Sequence, residues 1–175
     1  MNKGRIVFMT IVLVCLVGVL VFSINSEKEK PDLQSDLKRV FLFSQSDVVE
    51  ISRVINEKRL LLKKDGNKGW VITSPVADRA DEQAVEDYVN SFAEMIEVRV
   101  VDNNPGDLSI YGLDNPIEVA MGLSDKQSFH LLLGDETPTH ASSYAKIKDL
   151  PCVFLLGNYY RMKLLVNLDY FRRGN

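Results

Sequence analysis

Two histidines and a short run of serines are the first residues of this 175-residue chain to test for chemistry. In His140-Ala141-Ser142-Ser143 an imidazole stands close to hydroxyls. Nucleophilic hydrolysis uses that pairing: the imidazole takes the hydroxyl proton, and an acid orients the imidazole. The serines lack the glycine-flanked elbow that exposes a nucleophile, and no orienting acid is evident from the sequence. His130 falls mid-strand, facing away from Phe129, and reads as a surface or half-buried side chain. Gly134-Asp135-Glu136-Thr137-Pro138 holds two carboxylates, too few oxygens for a calcium site, and reads as a turn. Cys15 lies in an apolar run and Cys152 in the later, mixed part of the chain. They are not expected to pair, and neither has histidines at metal-ligand spacing. The sequence therefore implies no catalytic residues, no metal and no cofactor, and the chain reads as a non-enzyme.

Binding chemistry is better represented. Asp78, Asp81, Glu82, Glu86 and Asp87 gather acids around one helix start. A solvated face and helix capping explain most of such a cluster, and a basic partner is the functional alternative. Trp70 is the sole tryptophan. It reads either as core beneath a helix or as a partner-binding anchor. Asp78, Glu82, Glu86 and Trp70 are thus the candidate partner-binding residues. Tyr159, Tyr160, Arg161, Lys163, Phe171, Arg172 and Arg173 give the C-terminal part an aromatic, basic character, which a helix end favouring cations also explains.

The elements that carry these residues emerge from patterning. The chain is 46% hydrophobic and 26% charged, with a formal net charge of −3. Yet Ile6–Ile24 holds no charge at all and approaches the roughly 20 residues that cross a ~30 Å hydrocarbon core as a helix. Lys3 and Arg5 precede it. A short basic leading tail stays in the cytoplasm, so the chain beyond the apolar run is exported. A cleaved signal peptide is the competing reading, and the length of the run argues for a retained anchor. The remaining part is mildly acidic, which repels phosphate backbones and speaks against nucleic acid. The organisation is then an anchor over residues 1–25, a polar linker over 26–36, an extracytoplasmic domain over 37–171 and a tail over 172–175.

Within the domain, 38–43 and Val48–Ile55 read as strands. After an Asn56-Glu57-Lys58 turn, Arg59–Lys64 reads as the return strand. Asp65-Gly66-Asn67-Lys68-Gly69 is a turn, because Gly and Asn accept positive φ. Trp70–Thr73 comes next as a strand. Asp81 caps a helix whose buried stripe is Val85, Tyr88, Val89, Phe92 and Ile96. Val98–Val101 leaves it extended, and Asp107–Tyr111 forms one helical turn closed by a left-handed Gly112. Ile117–Leu123, Gln127–Leu133, Tyr144–Lys148 and Cys152–Leu156 are strands, and Asn158 caps a last helix to about Asn167. The fold class is α+β: a mainly antiparallel sheet with two packed helices. Residues 48–97 and 117–168 share an order, as two strand-meander-helix units.

Five short strings in register carry a family likeness. They are Gly69-Trp70-Val71-Ile72-Thr73-Ser74-Pro75-Val76, then Ala80-Asp81-Glu82-Gln83-Ala84-Val85, then Tyr111-Gly112-Leu113-Asp114-Asn115-Pro116, then Leu133-Gly134-Asp135-Glu136-Thr137-Pro138, and lastly Ser143-Tyr144-Ala145 with Val153-Phe154-Leu155-Leu156. Over about 40–170 the chain resembles the family called domain of unknown function 4340. The resemblance implies a bacterial envelope protein behind an N-terminal transmembrane helix. It also implies a link to ABC-type transport systems, including auxiliary components associated with gliding motility. It implies no catalytic residues. The expected function is a non-catalytic, membrane-anchored accessory protein of the inner membrane that binds an envelope complex, a transporter being the first candidate. A periplasmic ligand- or lipid-binding module is the alternative.

Overall fold

The computed structural model describes residues 38–172, and the expected anchor over Ile6–Ile24 lies outside them. Among the described residues no helix is long and apolar enough to cross a membrane. Nine strands form one sheet: β1 (Val48–Ile55), β2 (Lys58–Asp65), β3 (Gly69–Ser74), β4 (Asp78–Arg79), β5 (Glu97–Asp102), β6 (Ile117–Leu123), β7 (Ser128–Glu136), β8 (Ser142–Ile147) and β9 (Val153–Gly157). Helix α1 covers Glu82–Ala93 and α2 covers Asn158–Leu164. The sheet order is β4-β3-β2-β1-β6-β7-β8-β9-β5, and every pairing is antiparallel. The fold is α+β, as the patterning implies.

The connectivity repeats about the central β1–β6 pair. Each half is a four-stranded meander leading into a helix, and each half sends its tail to the other's edge. After α1 the chain adds β5 beside β9, while after α2 Arg172 bridges Ala80, next to β4. Sequence comparison of the halves gives no echo of this, because the exchange depends on pairing and not on residue type.

Helix α1 connects opposite edges. In a flat sheet those edges would lie roughly 38 Å apart, against roughly 18 Å for a helix of this length. Its connectors are not stretched, since the Ala80 N–H donates to Trp70 O and the Glu94 N–H returns to Asn90 O. The sheet therefore twists and curls around α1. Val85, Tyr88, Val89 and Phe92 enter one core with Ile51, Leu62, Trp70, Ile72, Met121, Leu131, Phe154 and Leu156. The Asp81 carboxylate accepts the Ala84 N–H at 3.0 Å, the cap expected for α1.

Several elements differ from expectation. Residues 38–43 form no strand; Arg39 makes a single bridge to Ile96, and Phe41 turns inward to stack on Phe92 at 4.5 Å. An aromatic run reads as a strand locally, but here its side chains plug the core end of α1. Helix α1 stops at Ala93, so Met95 is buried while Ile96 joins that bridge. Strand β4 is only a dipeptide, below the length that periodicity resolves. Strand β7 continues through Gly134, Asp135 and Glu136, residues that read locally as a turn; the turn begins at Thr137. Asn158 is the first residue of α2 and no cap. Its side chain accepts from the Ser143 hydroxyl and donates to His140 O.

Candidate functional site

The candidate residues Trp70, Glu82 and Glu86 converge on one cavity. The turn after β2 is held by the Asp65 side chain, which accepts the Asn67 N–H. Gly69 comes next at φ 74°, a left-handed value that suits glycine. Trp70 then enters β3, and its backbone N–H donates to Glu82 Oε1 at 2.7 Å. A side chain at Gly69 would collide with that carboxylate. Glu82 thus ties α1 to the start of β3, and Glu86 stands one turn further along the same face. The cavity of about 240 Å³ is lined by these acids, Trp70, Lys64, Gln45, Ser46 and Asn90, among others. Trp70 is only 4% exposed, so it is a wall of the recess and core beneath α1, not a projecting anchor. Asp78 is elsewhere: it lies in β4, with Arg172 Nε 3.4 Å away. The recess mixes two carboxylates with one lysine and amide and hydroxyl groups, which suits a cationic or hydrogen-bonding group of a partner.

Both histidines have an acid that the sequence conceals. His130 Nδ1 lies 2.7 Å from Glu118 Oε1, and its Nε2 lies 3.1 Å from the Ser128 hydroxyl. Lys148 Nζ reaches the same glutamate oxygen at 3.1 Å. Burial works to raise the Glu118 pKa, but the hydrogen bonds and charges of His130 and Lys148 outweigh it and hold the carboxyl below its usual range. The order Ser128–His130–Glu118 is that of a hydrolytic triad. The three groups stand on the sheet face opposite the core, with Ser128 exposed. His140 Nδ1 lies 2.8 Å from Glu136 Oε2, and Arg161 Nε lies 3.4 Å from Glu136 Oε1. The hydrogen bond with His140 is the main cause that lowers the Glu136 pKa. Arg161 also donates to Gly134 O, and the buried Ser143 donates to Asn158, so this cluster ties α2 to β7 and β8.

Two motif strings meet back to back. At Gly134 an added Cβ would overlap the Tyr111 carbonyl oxygen and lie 3.1 Å from Leu113 Cγ. At Gly112, with φ 65°, it would run into the Asp135 carboxylate. Tyr111 packs edge-on to Tyr144 and donates its hydroxyl to Asp102 at 3.0 Å. The Tyr-Gly-Leu-Asp-Asn-Pro segment is therefore a structural clasp over β7 and β8.

Residues 70–175 match the model of a family described as domain of unknown function (DUF4340). The chain belongs to this family. The match begins at Trp70, so it is narrower than the likeness read over about 40–170, and β1 and β2 lie before it. Neither the curated proteins nor the solved structures give a match. In this DUF4340 chain the matched span includes Glu82, Glu86 and both glycines of the clasp.

Sequence reading missed Arg53. It lies in β1 on the same face as Ile51, is 8% exposed, and donates through Nη1 to Leu164 O at 2.7 Å and Val166 O at 2.6 Å. The Tyr88 hydroxyl donates to the same Leu164 carbonyl, and burial pushes its pKa up to about 12 although Arg53 opposes the rise. The one signal for it is a charged residue on the inward register of an apolar strand.

Proposed function

We propose that the chain is a non-catalytic, membrane-anchored accessory protein of the bacterial envelope. In this reading Ile6–Ile24 is retained as a single transmembrane helix in the inner membrane, the α+β domain lies outside the cytoplasm, and the domain binds a component of an envelope complex, an ABC-type transporter being the first candidate. The observation that carries the binding role is the recess in which Glu82 and Glu86 stand over Trp70. Confinement to one membrane raises the effective concentration of domain and partner, so a modest contact suffices.

Glu86 is the informative position, because Glu82 also bonds to the Trp70 backbone and Asp78 lies beside Arg172. Glu86→Lys in the full chain is expected to lower co-purification of the partner from solubilised membranes about ten-fold or more. The melting temperature should stay within about 2 °C, since exposed charges contribute little to stability. A Ser128→Ala/His130→Ala chain should capture the partner normally. If that variant folds but loses the cellular phenotype while Glu86→Lys keeps it, the binding reading fails and the triad must be reconsidered. The anchor is checked by mass spectrometry of the mature N-terminus, which should retain Ile6–Ile24, and by activity of a C-terminal alkaline phosphatase fusion.

A second reading, a periplasmic ligand- or lipid-binding module, is favoured by the cavity beside Arg53.

A further inference from the structure

We propose that the cavity at the Asn56–Glu57 end of β1 and β2 binds an anionic headgroup, carboxylate or phosphate, that carries an apolar chain. The cavity has a volume of about 340 Å³, within the roughly 300–1,000 Å³ of small-molecule sites. Its lining divides by chemistry. Arg53 and Lys58 supply two positive charges, and Ile55, Leu60, Pro75 and Leu168 supply apolar surface. No carboxylate is among the lining residues.

Arg53 decides the case. A buried charge is costly unless it is paired. The ion pairs of the described residues do not include Arg53. Its bonds to Leu164 O and Val166 O seat the guanidinium on the chain that leaves α2, where carbonyl dipoles offset part of the charge. That capping role accounts for Nη1. It does not account for Lys58, which the Ile55–Lys58 pairing sets on the same sheet face as Arg53, where like charges repel unless an anion or solvent stands between them. Arg59 also lines the cavity, but its Nε lies 3.3 Å from the Ser52 hydroxyl, on the sheet face opposite Arg53. Charge complementarity selects an anion, and a guanidinium fork matches the two oxygens of a carboxylate or phosphate. The apolar wall selects a chain attached to it. Leu60 is 6% exposed, and Leu168 packs partly on the core, so the wall is rigid.

This inference does not rest on the partner-binding reading, which uses a different cavity and different residues. The test uses the full chain in phosphatidylcholine nanodiscs, with binding measured by ligand-observed NMR. The probes are octanoate, octyl phosphate, octanol and inorganic phosphate, each also run on empty nanodiscs. Octanoate or octyl phosphate is expected to bind at least ten-fold more tightly than octanol and than inorganic phosphate. Lys58→Glu, at an exposed position, should weaken that binding at least ten-fold without lowering the melting temperature. Arg53→Lys, which keeps the charge and removes the fork, should weaken it less. Equal affinity for inorganic phosphate would overturn the proposal in favour of a free-anion site. Equal affinity for octanol, or binding unchanged by Lys58→Glu, would overturn it outright. Glu86→Lys should leave all four probes unaffected, so failure here and failure of the partner-binding reading are separable.

Discussion

Phe92→Ala is expected to lower the stability of the domain by about 3–5 kcal/mol, the usual cost of emptying a buried aromatic site. Phe92 is fully buried, 0% exposed, on the inward face of α1. Its ring stacks on Phe41 at 4.5 Å with an interplanar angle of 12°, and Phe43 lies 6.2 Å away. Phe129 in turn touches Phe41 and Phe43, so four aromatic rings close the region where the chain enters the domain. Removing this ring takes away its apolar burial and its stacking on Phe41. Denaturant unfolding of the full chain in nanodiscs measures the change. A loss under about 1 kcal/mol would mean that the neighbours refill the site and that this face of α1 is not the centre of the core.

Gly134→Ala is expected to cost about 3 kcal/mol or more, at or above the top of the range usual for overpacking. The reason is the identity of the obstacle. The new methyl group would overlap the Tyr111 backbone carbonyl, and a backbone cannot swing aside as a side-chain tip can. Relief requires lifting the whole clasp, which would also disturb the Tyr111–Tyr144 contact and the Tyr111–Asp102 hydrogen bond. Gly66→Ala is the control: nothing lies within 4 Å of its added Cβ, and the change should stay within about 0.5 kcal/mol. Thermal unfolding of the two variants side by side checks both values. A Gly134→Ala chain as stable as Gly66→Ala would show that the segment around Gly112 yields easily and is no clasp.

Local chemistry made much of this domain legible. Alternation placed β1, β6 and the start of β7, because a half-buried strand must alternate inward and outward side chains. Spacings of three and four placed α1 and its buried stripe, and Asp81 marked its start because a short carboxylate accepts a free N–H there. Gly112 was readable as a left-handed position. Glu82 and Glu86 were readable as neighbours, since residues four apart share a helix face.

What the residues could not reveal depends on register and on which edges meet. Glu118 orients His130 only because β6 and β7 pair Ala120 with His130, which sets Glu118 one step along the same outward face. Glu136 reaches His140 and Arg161 only because β7 runs past Gly134 and α2 packs beside it. The Trp70 recess needed the Glu82 tether, a bond between residues 12 positions apart. The cavity beside Arg53 needed the chain after α2, more than 100 residues away, to return against β1. By itself the sequence determined most of the elements, their inward faces and the charge-free stretch that marks the expected anchor, because propensity, alternation and hydropathy act over a few neighbouring residues. The tertiary structure alone decided which acids meet which histidines, which cations share a cavity and how the two halves exchange their tails, because those contacts are set by strand pairing and sheet curl across the whole chain.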